Sequence, residues 1–340
     1  MVGGFDFVNF FFMAVIAATP LLFATLGEIL TQRSGSLNLG VEGMMSMGAA
    51  AAITASYLYE LTAGDATLGF LSAVLAVLIG FFAGALGGLI YSVLTVTFRA
   101  NQNVTGLALT IFGIGAANLV GELLGISAGG RTTVSDSTKA IFSGVSIPVL
   151  SDIPVIGRLF FSYNFMVYFA VIVAIILIVF FNRTRMGLNL RSVGESPATA
   201  DAVGINVTRY KYIAACVGGG ICGLGGVFIS MSTVGGFAGT WENNIISGRG
   251  WIAVALVIFA AWRPARAIIG ALLFGGLSAL WLYFGPWLSI YFPNASIPQQ
   301  IYNVLPFVAT IIVLIVTSIR QSKDHSQPKA CGTNYFREER

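Results

Sequence analysis

"TRMGLNLRSVGESPATADAVGI", residues 184–205, has the look of folded, water-facing protein. Arg185 and Arg191 lie in it, Ser196 suits an N-cap, and Pro197 suits the first helical position. Gly204 suits the left-handed residue that closes a helix, so a two-turn helix is expected over "PATADAV". The stretches on either side are of another kind. "VYFAVIVAIILIVFF" (167–181) comes just before and "YIAACVGGGICGLGGVFISM" (212–231) just after, and both belong in lipid. A compact surface segment between two apolar runs implies a built cytoplasmic feature on a membrane protein.

Composition agrees. Of 340 residues, 56% are hydrophobic and 9% are charged, where a soluble domain carries about 25% charged residues. Mean hydropathy is +0.85. The chain is therefore read as an integral membrane protein. Its net charge of +4 belongs to the two membrane faces, and no nucleic-acid partner is expected. Cys216, Cys222 and Cys331 form no disulfide or metal pattern. The opening "MVGGFDFVNFFF" has no basic segment, so the first apolar run is expected to stay as a span.

A crossing needs roughly 20 apolar residues. Candidate spans fall at 8–30, 37–59, 67–98, 104–124, 164–182, 212–233, 251–262, 267–292 and 301–319. The fold class is all-α, a polytopic bundle of about nine spans with eight to ten allowed. The run 251–262 is too short to cross alone and points to an extension or a broken helix. Residues 1–320 are read as one transmembrane domain, with 125–163 as an outer loop, 183–211 inside, and 321–340 as a cytoplasmic tail.

Charge sets the orientation. With 183–211 inside, only Arg131, Lys139, Arg158 and Arg249 fall outside, and the other lysines and arginines of the 18 fall inside. This is the positive-inside asymmetry. It predicts an outer N-terminus and an inner C-terminus.

Small residues suit close helix packing in lipid, as in Gly80-x-x-x-Gly84 and Gly219-x-x-x-Gly223. "RSGSLNLGVEGMM" (33–45) mixes glycines with Arg33, Asn38 and Glu42. It reads either as a broken, re-entrant start to a span or as an inner-surface loop with Glu42 paired to Arg33. Gln102, Asn103, Thr105 and Thr110 open the fourth span, and Asn118 and Glu122, four apart, share one face. That face lines a polar path or bonds a neighbouring helix. Asn38, Glu42, Asn103, Thr105, Thr110, Asn118 and Trp241 of the outer "TWENN" (240–244) are the pathway candidates.

Catalytic equipment is missing. There is no phosphate-binding GxxxxGK[ST] loop, and the one histidine, His325, is in the tail. No catalytic residue, metal site or cofactor is expected. Energy for pumping must come from a partner or an ion gradient.

"RTRMGLNLRSVGESPATADAVGI" (183–205) resembles the coupling segment of ABC importer permeases of the branched-chain amino acid, ribose and nucleoside type. "RSGSLNLGVEGMMSMGA" (33–49) is similar to a motif of that family. "GRGWIAVALVIFAAWRP" (248–264), "SIPVLSDIPVIGRLF" (146–160) and the closing "PKACGTNYFREER" resemble the shorter permease of its nucleoside branch. The resemblance implies that Gly194, Glu195, Ser196, Pro197, Ala200, Asp201 and Gly204 dock on an ABC ATPase subunit. It also implies a second, longer permease, an extracytoplasmic substrate-binding lipoprotein, and a place in a bacterial plasma membrane. Ribose-type sugars and branched-chain amino acids are alternative substrates. A secondary transporter is a further alternative, though no internal repeat and few mid-bilayer ionisable groups support it.

Overall fold

A computed structural model describes residues 6–144, 155–233, 237–291, 299–320 and 327–336. Each of the nine apolar runs lies on a helix. These are α1 (Phe7–Arg33), α2 (Val41–Ala63), α3 (Gly69–Ser92), α4 (Gln102–Ser127), α7 (Phe165–Arg183), α10 (Val207–Met231), α11 (Arg249–Phe259), α12 (Pro264–Tyr291) and α13 (Gln299–Arg320). Outside them are the short α5 (Asp136–Ile141) and α6 (Ile156–Phe160), and then α8 (Arg185–Glu195) and α9 (Pro197–Ala202). No strand occurs among the described residues, only an isolated bridge between Thr133 and Thr240.

Among the described residues, five helices are long and apolar enough to cross a membrane: α1, α3 with its continuation to Thr97, α4, α7 and α10. α11 has 11 residues, or about 16 Å at 1.5 Å per residue, half a bilayer core. It is a half-helix. The turn that follows holds Ala261 and Trp262 at φ +50 and +54. The long run 67–98 carries its irregularity at its end, where α3 widens into a π-turn over Val93–Thr97.

The core is organised around α10. Its glycines bring backbones to contact distance. A Cβ on Gly219 would stand 2.5 Å from the Gly84 carbonyl oxygen, and one on Gly223 would stand 2.6 Å from that of Gly80. The two glycine pairs of the sequence thus pack on each other. Gly218 meets Gly27 of α1, and Gly226 meets the Met45 carbonyl of α2. Lipid gives helices no hydrophobic reason to associate, so such close packing must hold the bundle.

The segment that follows α4 is tied down by Glu60 near the end of α2. Its carboxylate accepts from the Ser135 backbone N–H at 2.7 Å and hydroxyl at 2.9 Å, and from Thr138 Oγ1. The proline-broken stretch 146–154 lies outside the described residues.

Candidate functional site

Two irregular segments approach each other along α4, which serves as a ruler. The first is residues 34–40, between α1 and α2. Gly35 turns the chain at φ +83. Leu37 N–H then donates to Gln102 Oε1 at 2.7 Å, and the Leu37 carbonyl accepts from the Tyr91 hydroxyl at 2.7 Å. One helix-turn pair further on, Thr110 Oγ1 donates to the Leu39 carbonyl at 2.9 Å. Asn38 is 1% exposed. Its N–H donates to Glu28 Oε1 at 3.2 Å, and its own Oδ1 accepts from Gly40 N–H at 2.8 Å. Each bond satisfies backbone that a helix would have satisfied internally, the condition for irregular chain at membrane depth. Residues 34–40 are thus irregular backbone between two helices, and the Glu42–Arg33 pair that one reading of 33–45 expected does not form.

The second segment comes from the other end of α4. Trp241 is buried, its indole packed close on Gly121, with Nε1–H donating to Asn243 Oδ1 at 3.2 Å. Asn243 Nδ2 donates to Glu122 at 2.9 Å. Asn244 and Asn118 exchange two bonds, each 3.2 Å. The "TWENN" loop and the Asn118/Glu122 face, read separately from sequence, are thus one cluster. It borders an open cleft of about 820 Å³ lined also by Arg131 and Glu242, an exposed ion pair at 2.5 Å.

The segments meet at Glu42. Its two carboxylate oxygens accept from Gly248 N–H and Gly250 N–H, both at 2.6 Å. Glu42 sits in the first turn of α2 and caps the first turn of α11. A carboxylate is the complement of helix N-terminal N–H groups and their partial positive charge. Arg33, the partner that sequence allowed for it, instead donates Nε–H to the Trp262 carbonyl at 3.0 Å. Of the remaining candidates, Thr105 is buried on α4, as Thr110 is, while Asn103 is exposed at the first turn, its N–H capped by Asn101.

The 184–205 segment holds two helices where one was expected. Thr184 caps α8 by accepting from Gly187 N–H at 3.0 Å. Leu190 and Val193 point inward, and Gly194 lies against the Arg33 carbonyl at the end of α1. α9 follows at once, with Pro197 at its start. The Ser196 hydroxyl bonds the Thr199 hydroxyl at 2.8 Å, and no side-chain cap bond to α9 forms. At the other end the expected cap is present: Gly204 has φ +85, with Gly204 N–H to Asp201 O at 3.0 Å and Ile205 N–H to Ala200 O at 2.9 Å. Ala200 is buried with Val193 and Val207 in a small cluster of its own. Glu195, Ala198, Thr199, Ala202, Val203 and Gly204 face out.

Glu28 and the tail residues Asn334 and Tyr335 were missed as site elements. Glu28 is fully buried, bonded to Gln32 at 2.8 Å, and its lone signal in sequence was an acid inside an apolar run.

Residues 10–314 match the family described as the permease component of the branched-chain amino acid transport system. The chain belongs to this family. It is a multi-pass membrane permease subunit of the ABC transporter class and, like its relatives, a transporter component, not an enzyme. The guanosine ABC transporter permease NupQ of Bacillus subtilis is 36% identical over 96% of both chains. The nucleoside ABC transporter permease NupC of Lactococcus lactis is 33% identical over 95% of both. TsgC13 of Haloferax volcanii, provisionally assigned to glucose transport, is 34% identical over 95% of this chain and 96% of its own. The first two organisms each hold a second relative named as a permease of the same kind, NupP and NupB, of which this chain covers 78% and 76%.

Proposed function

We propose that the chain forms half of the translocation pathway of an ATP-driven nucleoside importer, and that α9 couples it to a separate ATPase subunit. The substrate reading rests on the relatives named for nucleosides and guanosine, each similar over nearly the whole chain. The chemistry agrees. A nucleoside is neutral, with a flat base and a hydroxyl-rich sugar, and the cleft beside α4 is lined by the Asn243 amide and Trp241, with the Asn118–Asn244 pair in the adjoining cluster. The observation that carries the coupling role is the form of α9: anchored by Ala200 and covered outward by small side chains that fit a shallow groove.

The second permease is a longer relative, as the paired NupB and NupP suggest for their systems. A binding protein delivers solute from outside, where the N-terminus lies. Asn38, Glu42, Asn103, Thr105, Thr110, Asn118 and Trp241 are proposed as pathway residues. Gly194, Glu195, Ser196, Pro197, Ala200, Asp201 and Gly204 are proposed to form the coupling surface. TsgC13 keeps a sugar substrate as the second reading.

Uptake of radiolabelled uridine, ribose and leucine in cells with and without the chain tests the substrate. Loss of uridine uptake is the expected result. Loss of leucine uptake alone would move the assignment to amino acids. Co-purification of an ATPase tests the coupling partner.

A further inference from the structure

The described end of the chain, residues 327–336, folds back on the bundle as a compact strap. Turns at Pro328–Cys331 and Ala330–Thr333 shape it, with backbone bonds of 2.9 and 3.2 Å. Ala330 N–H donates to the Gly194 carbonyl at 3.0 Å, at the end of α8. Tyr335 packs against the cluster under α9, and its hydroxyl donates to Asp201 Oδ2 at 2.9 Å. The strap therefore holds both helices of the 184–205 segment.

The neighbouring residues of the same strap hold the pathway. Gln102 Nε2 donates to the Thr333 carbonyl at 3.1 Å and to Asn334 Oδ1 at 3.3 Å. Asn334 Nδ2 donates to the carbonyls of Arg99 at 2.6 Å and Ala100 at 3.2 Å. The Arg99 guanidinium lies 4.8 Å from the centre of the Phe336 ring, within cation–π range. Gln102 is the junction, since its Oε1 is the acceptor for Leu37 in the break between α1 and α2. A series of polar contacts, joined through the backbone between Tyr335 and Asn334, thus runs from Asp201 on α9 to Gln102 and the irregular backbone at Leu37.

We infer that this strap is a transmission element: Tyr335 and Asn334 are positioning residues that pass displacement of α9 to α4 and to the 34–40 break. The inference rests on the coupling role proposed above for α9. α9 has six residues and buries only Ala200. Six residues are too few for a stable helix alone, so α9 can move the spans only as far as it is tied to them. Gly194 against α1 and Ala200 against Val207 of α10 are two ties. The strap is the third, and it reaches α4 directly.

Proteoliposomes holding the whole importer, purified from its own cells with its binding protein and supplied with uridine, test this. Tyr335→Phe keeps the ring and deletes only the hydroxyl, and Asn334→Ala serves as the second variant. Each is expected to keep the ATPase bound and basal hydrolysis unchanged. ATP consumed per uridine delivered is expected to rise about tenfold, the scale of one hydrogen bond to a charged group. A merely structural role would lower both activities together and leave that ratio alone. An unchanged ratio, or loss of the ATPase on purification, overturns the strap. A wild-type complex that delivers uridine with no uridine-stimulated hydrolysis overturns the α9 reading and the strap with it.

Discussion

Glu42 accepts a hydrogen bond from the Gly250 backbone at 2.6 Å, across 208 residues of chain. One carboxylate in the first turn of α2 thereby caps α11 as well. A Cβ on Gly250 would stand 2.6 Å from the Glu42 Cα, so the two helix starts are in backbone contact. The irregular segments on either side of α4 are thereby linked through the helices they lead into.

Glu42→Ala should therefore leave two N–H groups, that of buried Gly250 and that of half-buried Gly248, without acceptors. A cost of about 1–3 kcal/mol for each is expected. Glu42→Gln keeps one acceptor oxygen and should fall between the two. Thermal unfolding of the purified complex followed by fluorescence is the check. Equal midpoints for Glu42→Ala and wild type would show that the cap carries no stability.

At Gly204 the constraint is backbone conformation, not space. Its φ is +85, and an added Cβ would meet nothing within 4 Å. Gly204→Asn, which tolerates the left-handed region, should retain uptake, and Gly204→Val should lose it. The difference is expected to be about 1–2 kcal/mol in cap stability. Uptake and substrate-stimulated ATP hydrolysis, compared in normally expressed complexes, decide it. Equal activity for both variants would remove the cap from the coupling mechanism.

At Gly223 the constraint is space. Gly223→Val should lower the yield of folded protein severely, because its Cβ would collide with the backbone of α3 at Gly80. Gly115→Ala is the control, with nothing within 4 Å of its Cβ. Monodisperse yield after detergent extraction should fall for the first and hold for the second.

Asn118→Ala removes both hydrogen bonds between residue 118 and Asn244. Uptake of uridine should slow about threefold to tenfold, the scale of one or two hydrogen bonds. The order of preference among uridine, ribose and leucine should not change. A reversed preference would make Asn118 a specificity residue.

Cys331 reports on the strap. Burial pushes its thiol up to about 12. The sign follows from linkage: a raised acid favours the folded state while the thiol stays protonated. This contribution is complete below about pH 8.5, the free thiol's value, and is lost as pH rises toward the folded value. Alkylation by iodoacetamide at pH 8 should be about tenfold or more slower in the folded complex than in denaturant, because the thiolate is the nucleophile. Mass spectrometry of the modified peptide measures it. Equal rates would mean that the strap is not seated in solution.

Local chemistry was legible in the sequence. The nine apolar runs gave the helices because a span must satisfy its own backbone, which needs an uninterrupted apolar stretch. Gly204 was readable as a C-terminal cap because capping is decided within a few residues. The glycine pairs were readable as packing faces, although which pair met which was not. α8 went unread as a helix, since its apolar positions Leu190 and Val193 find their partners only in the folded bundle. The acceptor role of Glu42, the joining of Asn118 to Asn244, and the seating of Tyr335 on Asp201 belong to the tertiary structure alone. A carboxylate or amide inside an apolar run announces that it needs a partner, because burying it unbonded costs several kcal/mol in lipid-like surroundings. Its identity says nothing of which partner, more than a hundred residues away, the packed helices will bring within 3 Å.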